Sequence, residues 1–377
     1  MAVLTEEQSM IRDAAKSWVQ ARSPVAAFRK LRDAGNDEGF DRGVWREMAE
    51  MGWTGILIPE EFGGTGLGYL TLGLVLEEAG RTLTASPLLA TALTATTALL
   101  LAGSDAQKHK YLPAIAEGTL IATLAVDEGP HHAPEKIALG GFESGNGKVT
   151  LNGRKTFVLE GGTAGLVIVA ARTSGKPGDA SGITLVLVDG AAPRGLTRDR
   201  LRTADSRGYA NLTFQDVEGE VLGALDHGGG VLETTLDRAR AGLAAEMLGQ
   251  ALQSFEVTLD YLKTREQFGQ KIGTFQALQH RAAKMFTDLE LARSCVEGAL
   301  SAIDRDANDV AQLASLAKAK AGDLVHLVSN EMVQMHGGIG MTDAHDAGLY
   351  LKRARAQEAT FGASSYHRDR YATLLGY

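Results

Sequence analysis

The sequence predicts a multi-domain α and β chain in three parts: a helical N-terminal segment (residues 1–118), a compact antiparallel β domain (119–223) and a C-terminal four-helix bundle (224–377). Three observations carry this reading. The chain has 377 residues, too many for one ordinary core. Apolar residues recur at helical spacing in its first and last thirds, whereas the middle is built of short β-branched runs punctuated by glycine.

The first part opens on Thr5-Glu6-Glu7-Gln8, a capping box that satisfies the free amides of a first turn before Ile11, Ala15, Trp18 and Val19 line one face. Residues Gly52 to Gly64 hold too many glycines and prolines for a helix and read as a shaped loop between helical blocks. Leu83 to Ala102 is apolar but broken by Ser86, Pro87 and repeated threonines, so a buried helix is expected rather than a membrane span. In the middle part, strands are expected at Leu120–Val126, Lys148–Leu151, Leu166–Ala170, Ile183–Val188 and Ala210–Phe214. No helix separates them, so βαβ winding is disfavoured and an antiparallel barrel or sandwich is expected. After Gly228-Gly229-Gly230, helices are expected at Leu232–Thr264, Phe275–Asp304, Val310–Met335 and about Asp346–Thr360.

Composition narrows the function. A net charge of -8 with no dominant Lys/Arg cluster argues against nucleic acid. The single cysteine, Cys295, rules out an internal disulfide framework and sits in an apolar helical stretch as a core residue. The start carries two glutamates and no basic head before an apolar run, so a secretory signal is not expected and the cytoplasm is the natural compartment. His131 and His132 lie in a loop without a spaced partner; they read as a solvated pair, and no metal is assigned.

The segment Tyr261 to Gln279 carries Arg265, Phe268, Gly269, Phe275 and Gln276. It resembles the helix-turn-helix signature of acyl-CoA dehydrogenases, in which the arginine, the phenylalanine and the first glutamine of a Phe-Gln pair contact FAD across a subunit interface. A guanidinium can grip a pyrophosphate through two parallel hydrogen bonds, and Gly269 lets the chain turn. Gln334-Met335-His336-Gly337-Gly338 is similar to the family's second FAD-contacting segment, where glycines let backbone amides approach a flat or anionic ligand. Ile58 to Gly64, Glu77-Glu78-Ala79-Gly80, Tyr111-Leu112-Pro113, Leu151 to Lys155 and Leu349 to Arg355 resemble further family segments, so the likeness spans essentially the whole chain.

The resemblance implies FAD as cofactor, an acyl-CoA thioester as substrate, an electron-transfer flavoprotein as acceptor, and a homo- or hetero-oligomer, expected to be a tetramer. In the family a glutamate removes the α-proton of the thioester while hydride leaves the β-carbon for the flavin. This chain departs there. One family position for the glutamate, before a Gly-Thr-Ser-like turn, is Phe361; the other, counted back from Arg265 to the arginine Arg240, is Ala239. Neither can take a proton. The family's Thr-Glu-Pro-x-x-Gly-Ser-Asp loop reads Val126 to Ala133, with Asp127 for the threonine and Ala133 for the serine, and its Trp-Ile-Thr strand reads Phe157-Val158-Leu159. Glu358 and Asp237 are conceivable substitute bases, both read as facing elsewhere. The catalytic residue is therefore open. The expected function is acyl-CoA dehydrogenation as a subunit whose partner supplies the base. A self-sufficient enzyme, other flavin chemistry on the same fold and a purely structural subunit are the alternatives.

Overall fold

A computed structural model describes residues 4–179 and 181–377. The first third holds α1 (Glu6–Arg22), α2 (Val25–Asp33), α3 (Arg42–Glu50), α4 (Gly68–Arg81), a π-helical stretch Leu88–Ala95 running into α5 (Thr96–Ala102), and α6 (Asp105–Ala116). Seven strands follow: β1 (Ala122–Ala125), β2 (Gly140–Gly145), β3 (Lys148–Leu159), β4 (Leu166–Arg172), β5 (Ile183–Asp189), β6 (Leu196–Leu201) and β7 (Tyr209–Leu222). The last third holds α7 (Gly228–Thr264), a hairpin of β8 (Glu266–Gln267) and β9 (Gln270–Lys271), α8 (Gln276–Asp304), α9 (Val310–His336), α10 (Ala347–Ala359) and α11 (Ser364–Leu374). The helical, β, helical order is as expected. Two details differ: α11 is a fifth helix after the four of the bundle, and α7 begins at Gly228, ahead of the expected start at Leu232.

Spatially the chain forms two compact units, one of Met1–Arg29, Tyr69–Thr84 and Arg240–Tyr377, the other of Lys30–Gly68 and Ala85–Ala239. In the first, Thr5 caps α1 through the expected box, accepting from Gln8 N at 3.1 Å while Gln8 Oε1 accepts from Thr5 N at 3.1 Å. Helices α4 and α7 meet at glycines. A Cβ on Gly249 would lie 2.6 Å from the Glu77 carbonyl carbon, and one on Gly80 2.9 Å from that of Glu246, so both positions must lack a side chain. The first amides of α4 are capped from afar: Tyr69 and Leu70 donate to Asp304 carboxylate oxygens at 2.6 and 2.9 Å, placing an acid where the helix dipole favours it. Burial pushes the Asp304 carboxyl up, against the lowering effect of those two amide bonds.

The second unit contains the barrel. β3 pairs antiparallel with β2 and β7, and β5 antiparallel with β7 and β4; a parallel bridge between Gly140 of β2 and Arg172 of β4 closes the ring. β1 lies parallel to β4, and β6 antiparallel along β7. The expected antiparallel architecture thus holds, as a barrel with two parallel junctions. Every residue of β4 is buried. The π-helical stretch is wholly buried too, and Thr91 ties it to β1 by donating to Ala122 O at 2.8 Å and accepting from Ala122 N at 3.1 Å. Among the described residues, no helix is long and apolar enough to cross a membrane.

Candidate functional site

In the first unit the expected ligand-contacting residues sit at two neighbouring chain reversals. Arg265 leaves the end of α7, and Phe268-Gly269 form a two-residue hairpin turn with φ of +55° and +78°. Glycine accepts such values freely; phenylalanine does not, and here its ring is 91% exposed. A strained backbone that presents an apolar ring to the outside indicates a surface made to be covered. Phe268 meets the Phe275 ring edge-on at 6.1 Å, immediately before Gln276, the exposed first residue of α8.

At the other reversal, α9 ends on Gln334, exposed, and His336, 3% exposed, followed by Gly337 at φ +63°, ψ -137°, a conformation all but reserved for glycine. A Cβ on Gly337 or Gly338 would meet nothing within 4 Å, so the backbone there faces open space. His336 Nδ1–H donates to Met332 O at 2.7 Å, which leaves Nε2 as a buried acceptor with no donor from the protein. Burial lowers the His336 pKa, the Met332 bond partly opposes this, and nearby His345 lowers it further, so the ring is neutral at pH 7. Its imidazole lies against the rings of both Tyr261 and His345, each centroid 4.3 Å away and tilted by 31° and 42°. Through Tyr261 this stack links the last turn of α7, from which Arg265 departs, to the end of α9. Arg265 and the His336–Gly338 segment are thereby brought together. The stacking itself escaped the sequence, in which Tyr261 opens one motif and nothing marks it or His345 as a neighbour of His336.

The turn at position 361 is built with equal care. Phe361 adopts φ +56° and Gly362 φ +105°. Three cationic or imidazole groups with no exposed surface hold the surrounding carbonyls. Lys318 Nζ donates to Glu358 O at 3.2 Å and Gly362 O at 2.9 Å; Arg240 Nε donates to Phe361 O at 3.4 Å; and His367 Nε2–H donates to the same oxygen at 3.0 Å. Burial brings the Lys318 ammonium down to about 7, partly countered by Glu358 and reinforced by Arg240. Glu358 itself is ion-paired with Arg355 through one carboxylate oxygen, and its other oxygen lies 3.1 Å from His326 Nδ1, which Arg355 also contacts at 2.7 Å. In the other unit, Ala239 is fully buried and Asp237 is 5% exposed.

The second unit holds the loop after β1. The pairing of the two histidines expected from sequence is corrected here: His131 is exposed, but the His132 side chain is only 2% exposed and has a partner, its Nδ1 lying 3.0 Å from both Asp127 oxygens. Ala133 N also donates to Asp127 Oδ1, at 3.2 Å. The loop is anchored to β3 by Thr156 N donating to Asp127 O at 2.8 Å and Lys155 Nζ donating to Val126 O at 2.8 Å. Between Lys155 and Val158 the β3–β7 register shifts, and at that bulge Phe157 takes φ +50° with 55% of its surface exposed. Bulges of this kind re-aim a side chain, here an aromatic one, out of the sheet. Its amide donates to Asn211 Oδ1 at 3.1 Å.

The features of the first unit fit FAD: an exposed aromatic ring at Phe268 for a flat heterocycle, a guanidinium and open glycine amides for a diphosphate, and a buried neutral imidazole acceptor at His336. Among the described residues no cluster of His, Cys, Asp and Glu has the makings of a metal site.

Comparison with known proteins agrees with this assembly of features. The N-terminal, middle and C-terminal domains of acyl-CoA dehydrogenase match residues 5–119, 135–218 and 226–375. Mitochondrial isovaleryl-CoA dehydrogenase of Pongo abelii is 32% identical over 375 residues, covering 97% of this chain and 88% of that protein. Among solved structures, the Tcur3481-Tcur3483 steroid ACAD G363A variant superposes with a TM-score of 0.88 at 30% identity over 98% of both chains. The ChsE4-ChsE5 complex from Mycobacterium tuberculosis gives 0.89 at 25% identity over 100% of this chain and 99% of that one. With all three domains present in order and a relative matched along most of its length, the chain belongs to the acyl-CoA dehydrogenase family, whose members are FAD-dependent oxidoreductases.

Proposed function

We propose that this chain takes part in the α,β-desaturation of an acyl-CoA thioester to the 2-enoyl-CoA as one subunit of an oligomer, with FAD at a subunit interface and the proton-abstracting base supplied by an unlike partner. The observation that carries this reading is a mismatch. Both family positions for the base hold residues without a carboxylate, Phe361 and Ala239, while the outward-facing groups suited to a cofactor are kept. Arg265, Phe268, Gln276, Gln334, His336, Gly337 and Gly338 are the residues assigned to hold FAD, Arg265 gripping the diphosphate and Phe268 covering a planar edge across the interface. The bound flavin supplies hydride acceptance. The chain's own residues bind and orient it and exclude water, and removal of the α-proton falls to the partner's carboxylate. Two solved relatives are described as pairs of unlike chains, which supports a heteromer, expected to be a tetramer. An electron-transfer flavoprotein is the proposed electron acceptor and the cytoplasm the proposed compartment.

A self-sufficient enzyme would need Glu358 or Asp237 as base, and the engagement of the Glu358 carboxylate by the Arg355 guanidinium speaks against the first. A flavin-free structural subunit would have no use for an exposed ring on a strained turn at Phe268. The test is the visible spectrum of the purified chain, alone and co-expressed with a family homologue encoded beside it, before and after anaerobic addition of acyl-CoA. Flavin bleaching only in the complex is the expected outcome. A lone chain that is yellow and bleaches would overturn the shared-site reading, and a colourless complex would overturn flavin binding itself.

A further inference from the structure

The loop between β1 and β2 contains a hydrogen-bonded Asp–His pair that the mechanism above does not use. Asp127 and His132 lie five residues apart, with the imidazole Nδ1 equidistant, at 3.0 Å, from both carboxylate oxygens. The two side chains are not equally covered: the His132 side chain is 2% exposed and that of Asp127 24%. The imidazole thus stands behind the carboxylate, which turns its remaining surface outward. The support is rigid. Ala133 N holds one Asp127 oxygen, Thr156 N holds the Asp127 carbonyl, and the neighbouring Glu128 carboxylate accepts from Ala138 N and Leu139 N at 2.9 Å each and from Lys155 Nζ at 2.7 Å. The residue after Thr156 is Phe157, whose ring the bulge in β3 sends outward. An exposed ring and a backed carboxylate on adjoining segments suit a flat heterocycle that carries ring N–H groups, the ring stacking and the carboxylate accepting.

We propose that the Asp127 carboxylate, backed by His132, accepts a hydrogen bond from an N–H of the isoalloxazine ring of bound FAD and sets its reduction potential. The proposal rests on the reading that this chain binds FAD, and it adds the residues that tune the flavin. A negative charge beside the ring opposes the gain of electrons and holds the potential down. The hydrogen bond from His132 withdraws part of that charge, so His132 acts as a positioning and screening residue behind the contact. The two substitutions therefore have opposite signs. Asp127→Asn, which removes the charge and keeps the shape, raises the potential. His132→Leu, which leaves the carboxylate bare, lowers it.

The experiment is spectroelectrochemical titration of flavin in the full chain, in complex with its partner where the partner is needed to retain FAD, together with the flavin dissociation constant and thermal midpoint of each variant. Each substitution is expected to change the relative affinity for reduced over oxidised flavin at least tenfold, which for a two-electron couple is about 30 mV, upward for Asp127→Asn and downward for His132→Leu. Asp127→Thr, carrying the family's residue, is expected to move with Asp127→Asn and is read in its place should that variant lose flavin. Shifts in the same direction for Asp127 and His132 variants, no shift, or flavin loss from all three variants with unchanged thermal midpoints would reduce the pair to a structural clasp and overturn the proposal. Absence of flavin from the parent protein, with or without its partner, would sink instead the reading on which it rests.

Discussion

Replacing Lys318 by methionine tests how the turn at position 361 is held. The lysine has no exposed surface, and its ammonium donates to two backbone carbonyls, those of Glu358 and Gly362. Its pKa falls from 10.5 to about 7 because burial penalises the charged form. The unfolded chain binds this proton up to pH 10.5, whereas the folded chain releases it above about 7, so the unfolded state binds more protons throughout that window. Stability must therefore rise with pH between about 7 and 10.5, with a slope of up to about 1.4 kcal/mol per unit and a ceiling of about 5 kcal/mol. Below pH 7 both states hold the proton and the slope vanishes. Lys318→Met removes the titrating group and leaves both carbonyls without this donor, costing about 1–3 kcal/mol for each. Urea unfolding of both proteins at pH 6, 7, 8 and 9 measures the difference. The variant is expected to be nearly flat where the parent climbs, so their gap widens with pH. A gap that stays constant from pH 6 to 9 would refute the burial argument.

Phe361→Glu places a carboxylate on the same turn; if position 361 faces the substrate, the lone chain should gain roughly 10²–10⁴-fold in the rate at which acyl-CoA bleaches its flavin, and an unchanged rate with flavin retained argues that the turn no longer addresses the substrate. Gly249→Ala forces a Cβ against the Glu77 backbone and is expected to cost about 3 kcal/mol or more by denaturant titration, whereas Gly298→Ala in α8, with nothing within 4 Å, should be neutral or stabilising by up to about 1 kcal/mol. Equal effects of the two would contradict the close approach of α4 and α7.

Where the sequence was legible, local chemistry and tertiary packing agreed. The Thr5–Gln8 box starts α1 because cap and partner are three residues apart, and α8 ends on Asp304 as its apolar spacing indicates. What escaped was set by distant neighbours. β6 carries Arg198, Asp199 and Arg200 and alternates only weakly in burial, so no apolar run marks a strand that exists by pairing with β7. β3 runs on past Leu151 because register shifts accommodate Gly153 and Phe157, which in sequence look like an end. Of α11 only His367 is buried, too little to show a helical stripe. Within the site, the reversals at Phe268 and Gly337 were legible from their glycines. Lys318 was not, for in an Ala-Lys-Ala-Lys run a buried lysine and a solvated one are spelled alike. The Asp127–His132 pair was hidden because its partner comes from within the loop rather than from a spaced motif.

The cap that Asp304 places on α4 has a consequence for the order of events during synthesis. The two earlier pieces of that compact unit, Met1–Arg29 and Tyr69–Thr84, leave the ribosome before any of Arg240–Tyr377 exists. At about 5–20 residues per second, α4 waits roughly 10–50 s for the side chain that satisfies its first amides. Meanwhile every residue of Lys30–Gly68 and Ala85–Ala239 has been made, so the barrel unit can complete while the two early helical pieces of the other unit remain unmatched. The nascent chain therefore carries an apolar helix without its packing partners through much of translation, and that interval, rather than the finished fold, is when it most depends on the cell's protection against aggregation.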